Sequence, residues 1–212
     1  MKTNDLIDAL ARGVEPAKPA STRRDLTVTL IVGLIAAIIL VVIGLEVRPD
    51  IGVARMPVMM KAMFSALAAA VMLPLVVQLM KPGRPLAWRI GAVIAFFALC
   101  ALATIISLAG EMPERRFDAL MGGAAFPWCV VLIPVLATPT AALLLWLMRS
   151  FAPTRLTLLG AAIGAISGGI GAMAYAMYCP TDSVAFVATW YALGIAVSAA
   201  LGAVIGARLL RW

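Results

Sequence analysis

Histidine does not occur in this chain. Imidazole acid–base chemistry, histidine ligation of haem and HExxH zinc sites are therefore excluded. Charge is scarce: Asp, Glu, Lys and Arg make up 13% of the residues, and none falls inside six long apolar runs. Ionisable side chains within membrane spans mark ion paths, proton relays and voltage sensors. Their absence from the runs argues against an ion-coupled transporter or pump. Only three cysteines are present, with no Cys-x-x-Cys pair, so a dithiol oxidoreductase is not expected. There is no P-loop and no GxSxG. The expectation is a protein that is not an enzyme and has no cofactor.

What the chain does have is apolar length. Hydrophobic residues make up 64% of the sequence and gather in Leu26–Leu45, Ala62–Met80, Ile90–Leu108, Phe126–Met148, Leu156–Met177 and Val184–Ala207. About 20 uncharged apolar residues suffice to cross a hydrocarbon core roughly 30 Å thick as a helix. The expected fold is all-α, a polytopic membrane protein with six transmembrane helices. Connections of 6 to 17 residues cannot hold a folded domain. The organisation expected is an N-terminal segment, 1–25, followed by one membrane domain, 26–212.

Positive charge concentrates in cytoplasmic loops. With the N-terminus inside, the inner side carries twelve Lys and Arg and the outer side five, namely Arg48, Arg55, Lys61, Arg115 and Arg116. Both termini are therefore expected to be cytoplasmic, in a bacterial inner membrane. The net charge of +7 follows from this topology and needs no nucleic acid. Arg23-Arg24 ahead of the first run faintly resembles a twin-arginine signal. The run is long for a signal peptide and no A-x-A-like site follows, so cleavage is not expected. Trp88, Trp146 and Trp212 at inner ends and Trp128 at an outer end suit the headgroup level.

Small residues recur at four-residue spacing in the last two runs: Gly160, Gly164 and Gly168, then Gly194, Ser198, Gly202 and Gly206. Such faces let two backbones approach closely in lipid. The six-residue connection makes these runs the expected antiparallel partners, although either face would equally serve a second copy, and a glycine-lined path is the functional alternative. Pro74, Pro134 and Pro139 lie inside runs and predict kinks. Gln78, the one strongly polar side chain within a run, predicts an interhelical hydrogen bond.

Cys100 reads as a small buried hydrophobe. Cys129 and Cys179 fall at similar depth at the outer face, which is an oxidising compartment. Three readings stand for them: a structural disulfide, a pair that senses oxidants or captures soft metals, or two unrelated buried thiols. In the N-terminal segment Thr3 can cap a short helix whose first turn holds Asn4 and Asp5. Leu6, Ile7, Leu10 and Val14 form an apolar stripe, and a Pro-containing linker follows Gly13. About ten residues are too few for a stable isolated helix, so the segment suits folding onto a protein partner. The bland alternatives are a disordered leader and a segment lying on the inner leaflet.

Met1-Lys2-Thr3-x-Asp5-Leu6-Ile7-x-Ala9-Leu10-Ala11, Arg48-Pro49-Asp50, Ala152-Pro153-Thr154-Arg155, Cys179-Pro180-x-Asp182-Ser183-x2-Phe186-x3-Trp190-Tyr191 and the final Arg208-Leu209-Leu210-Arg211-Trp212 together resemble the NrsF family. These are six-span membrane anti-sigma factors named as negative regulators of sigma F. The resemblance implies that the N-terminal segment holds an extracytoplasmic-function sigma factor at the membrane, and that Cys129 and Cys179 receive the signal. Asp5, Leu6, Ile7 and Leu10 would then contact the partner, helped by Arg84, Arg89, Arg149 and Arg155 at the inner face. Membrane lipid is the other expected partner and nucleic acid is not. The rival is a small-molecule or lipid transporter of the inner membrane.

Overall fold

The computed structural model describes residues 22–80, 85–123, 128–151 and 153–211. Among the described residues the chain is helical, with six helices long and apolar enough to cross a membrane. They are α1 (Thr22–Gly44), α2 (Arg55–Leu79), α3 (Ala87–Gly110), α4 (Trp128–Met148), α5 (Leu156–Tyr175) and α6 (Val184–Leu209). Helices satisfy their own backbone groups, which lipid cannot do. A short helix, Arg116–Met121, lies between α3 and α4. The tail end of the bundle is the end where α1 begins; the far end is where α1 finishes and α4 begins.

α5 is the hub. Of its membrane-crossing window 72% is buried, against 11% for α3. Small residues make this possible, because each neighbour can approach the α5 backbone. A Cβ on Gly160 would fall on the Gly202 carbonyl, and one on Gly164 on the Ser198 carbonyl. From the other side, a Cβ on Gly206 would lie 2.6 Å from the Gly160 Cα, and one on Gly202 2.8 Å from the Gly164 Cα. Gly168 meets the Ser198 side chain in the same way, at 2.8 Å. Gly169 is turned to α2, against the Ser65 carbonyl, and Gly171 to α4, against the Ile133 carbonyl.

Gly194 departs from the face expected of it. It sits against α4, where a Cβ would lie 2.9 Å from the Ile133 Cδ1 and 3.2 Å from the Cys129 carbonyl. At that level Ile195 faces Gly168 instead. A helix turns every 3.6 residues, so a repeat of four drifts by about 40° a step and by about 120° from Gly206 to Gly194.

α1 packs on α4 and α5, and α2 on α5 and α3. Gln78 of α2 accepts from Arg89 Nε at 3.0 Å and donates to the Pro85 carbonyl at 2.6 Å, tying α2 to the start of α3. At the far end α3 meets α6 through Thr104 and Thr189, 3.0 Å apart. There α6 carries a π-turn, Val187–Tyr191, before resuming as an α-helix at Ala192. Single π-turns often mark functional positions.

Candidate functional site

The far end gathers two thiols, two buried cations and two buried tyrosines. Cys129 is the second residue of α4. Cys179 follows α5 after a tightened turn in which the N–H groups of Tyr178 and Cys179 both donate to the Tyr175 carbonyl, each at 3.0 Å. Both cysteines are buried, and their side chains lie within hydrogen-bonding reach of each other. The Cys129 thiol also lies 3.3 Å from the Tyr175 hydroxyl. Tyr175 and Tyr191 are fully buried, with ring centroids 5.7 Å apart. The π-turn places Tyr191 beside the thiols, with its hydroxyl close to the Cys179 sulfur.

Above the thiols the connection 176–183 is clamped. Lys61, in the second turn of α2, is 2% exposed. Its ammonium donates to the Cys179 carbonyl at 2.8 Å and the Thr181 carbonyl at 3.0 Å, and pairs with Asp182 at 2.7 Å. Its three protons thus have three oxygens. Glu46 takes a left-handed backbone conformation, φ 66°, just beyond α1, and two residues later Arg48 is buried. The Arg48 N–H donates to the Met177 carbonyl at 3.1 Å. Its guanidinium binds both oxygens of Asp50 at 2.8 Å, Asp182 at 3.0 Å and the Cys179 carbonyl at 3.2 Å. Cations taken out of water are tolerated only when saturated in this way.

The electrostatics follow from these contacts. The hydrogen bond from Cys129 is the main reason the Cys179 thiol is pulled down to about 6; burial opposes it, and the Lys61 charge assists. Burial alone would lift the Asp182 carboxyl, but hydrogen bonds from Arg48 and Lys61 outweigh it and hold it below the usual carboxylate range. Arg48 likewise holds Asp50 down, and the two carboxylates push the guanidinium higher still. The carboxylates of the site are therefore held in their charged form, and the Cys179 sulfur is biased toward the thiolate by its neighbours.

The pattern from Cys179 to Tyr191 gains a role at each named position. Asp182 anchors the clamp, and Ser183 caps α6 by accepting from the Phe186 N–H at 3.5 Å. Phe186 is buried beneath Gly122, whose φ of 62° and lack of Cβ allow the ring close. Trp190 donates from its ring nitrogen to the Leu120 carbonyl at 2.7 Å, and Thr181 to the Gly122 carbonyl at 3.0 Å. The short helix between α3 and α4 is thus fastened across the mouth of the site.

Sequence reasoning singled out Cys129 and Cys179, which the fold brings together. Arg48 and Lys61, expected as outer-loop charges, are both buried and Lys61 lies inside α2, which corrects the expectation that buried ionisable groups are absent. A hydropathy run stops at its first charge, so the run began at Ala62, although the helix starts at Arg55 and carries Lys61 inside. The available signal was that cations had been kept on the side where the charge rule depletes them. Tyr175 and Tyr191 gave no signal apart from the resemblance around Tyr191. At the tail end Arg89 lies against Trp88, its guanidinium carbon 3.7 Å from the ring centre. Arg149 and Arg155 are exposed and flank the α4–α5 connection. Asp5, Leu6, Ile7, Leu10 and Arg84 lie outside the described residues. Among the described residues no group of three or more Cys, Asp or Glu is placed to hold a metal ion.

Residues 10–212 match the family described as negative regulator of sigma F, NrsF. The chain is 39% identical to the anti-sigma-F factor NrsF of Caulobacter vibrioides and 33% identical to the probable anti-sigma-F factor NrsF of Azospira oryzae, with all of each chain covered in both cases. No solved structure matches. A family match over nearly the whole chain, together with two full-length relatives, leads to one conclusion: the chain belongs to the NrsF family of negative regulators of sigma F.

Proposed function

We propose that this chain is a membrane-anchored anti-sigma factor of the bacterial inner membrane. Residues 1–25 form the capturing segment and 26–212 the anchor and receiver, with both termini cytoplasmic. In this reading Leu6, Ile7 and Leu10 dock into an apolar groove of an extracytoplasmic-function sigma factor, with Asp5 at the edge of the contact. Arg84, Arg89, Arg149 and Arg155 add contacts at the inner face. The signal arrives at Cys129 and Cys179. Oxidation joins the two sulfurs and passes two electrons and two protons to the oxidant. A soft metal ion displaces thiol protons instead.

One observation carries this reading: the thiol-bearing connection is bonded to Arg48, four residues beyond the last residue of α1. α1 is one unbroken helix of 23 residues, about 35 Å long. Its other end is where the capturing segment begins. In this reading a change at Cys179 reaches the root of that segment through the short link 45–48 and then α1, besides passing through α4 and α5. A switch acts only through differential binding, and a change of about 3 kcal/mol alters partner affinity roughly 150-fold.

The test is a Leu6→Asp, Leu10→Asp double variant assayed for sigma-dependent transcription in unstressed cells. De-repression is expected. Continued repression would show that the segment is not the inhibitory element. Cys129→Ser should keep basal repression and blunt induction by oxidant; an unchanged induction removes the sensing role.

A further inference from the structure

A crevice separates α1 from α2, with Ile166, Ile170 and Met173 of α5 as its floor. At the tail end it widens into a cavity of about 690 Å³, whose lining includes Arg23, Gln78, Trp88 and Arg89. No carboxylate is among the described lining residues. Arg89 is held there by its hydrogen bond to Gln78 at 3.0 Å and its stacking on Trp88. Leu30 and Leu73 line this cavity and also a second of about 230 Å³, so the two adjoin. The second is wholly apolar, walled by Leu34 and by the small residues Ala66, Ala69 and Ala70.

A basic mouth thus opens into a narrow apolar trough. From Arg23 to Leu34 the helix rises about 16 Å, roughly half the hydrocarbon core of about 30 Å. The trough is one leaflet deep. We propose that an anionic phospholipid binds in this crevice, its phosphate between Arg23 and Arg89 and one acyl chain lying between α1 and α2.

Basic pockets between spans select anionic headgroups, and Trp88 suits the headgroup level. A peptide fits less well. The backbone N–H and C=O groups of an extended peptide would go unsatisfied in a trough of alkyl side chains. The bound headgroup would lie at the root of residues 1–21. Arg89 would then serve lipid rather than the protein partner.

The test uses the full chain in detergent, titrated separately with phosphatidylglycerol, phosphatidylcholine and inorganic phosphate, with native mass spectrometry counting bound molecules. Phosphatidylglycerol is expected to bind about tenfold more tightly than phosphatidylcholine. Arg23→Gln with Arg89→Gln should erase that preference, while Arg24→Gln, outside the cavity lining, should keep it. Ala70→Leu, which fills the trough and leaves the charges in place, should weaken phosphatidylglycerol binding at least severalfold. Equal affinity for the two lipids, or a preference that survives the double substitution, overturns the proposal. So does full displacement of the lipid by inorganic phosphate, which would mark a site for a free anion. Lipid binding that appears only after residues 2–20 are deleted also overturns it, because the chain's own segment would then be the occupant.

Discussion

At the residue scale, the chemistry of the far end turns on Cys179. Its sulfur is buried, yet it sits low in pKa because Cys129 donates to it and Lys61 lies nearby. A depressed thiol pKa means that the thiolate forms as pH rises through the folded value, well below the ordinary thiol range near 8.5. The rate at which a small thiol oxidant consumes Cys179 should therefore inflect near pH 6. Cys129→Ala removes the principal hydrogen bond and should move the inflection upward. Lys61→Met should move it the same way and also lower the melting temperature in detergent, because Asp182 and the Cys179 and Thr181 carbonyls each lose a donor. An inflection unmoved by both changes would mean that neither residue tunes the sulfur. The sequence put Cys129 and Cys179 at one depth, but their contact and the groups that tune the sulfur were not legible in it. Cys129 and Cys179 are fifty residues apart, and only the packing of α4 on α5 brings them together. Arg48 and Lys61 are ordinary loop charges until the turn at Glu46 and the early start of α2 draw them inward.

At the element scale, the sequence was far more readable. Six spans follow from hydropathy because lipid leaves helices as the only open-chain solution. The pairing of Gly160, Gly164 and Gly168 with Ser198, Gly202 and Gly206 follows from their spacing, and Gly194 drifts off by helical geometry alone. Position, and not residue type, decides what each glycine tolerates. Gly164→Leu drives a side chain into the Ser198 carbonyl. It should destabilise the bundle by at least about 2 kcal/mol, measured by thermal or denaturant unfolding in detergent. Gly91→Ala, in α3 with open space where its Cβ would go, should be neutral or slightly stabilising. Equal losses at the two positions would contradict the close contact of α5 with α6.

At the scale of the whole molecule, orientation decides whether the capturing segment can meet a cytoplasmic partner. The charge count places the α1–α2 connection outside. Val53, 93% exposed in that connection, should accept a membrane-impermeant thiol reagent added to intact cells once replaced by Cys. Thr154→Cys, in the exposed α4–α5 connection, should be labelled only after lysis. The reverse pattern would put residues 1–21 on the wrong side of the membrane and remove the proposed function with them.

The glycine faces of α5 and α6 close on each other within one chain. A neighbouring copy in the bilayer meets branched side chains instead, such as Ile94 and Ile105 on α3 and Ile35 on α1, all exposed. Side chains of that kind pack more loosely than the interlocked glycine faces of α5 and α6. Holding capacity would then scale with the number of chains in the membrane, and not with how often they meet.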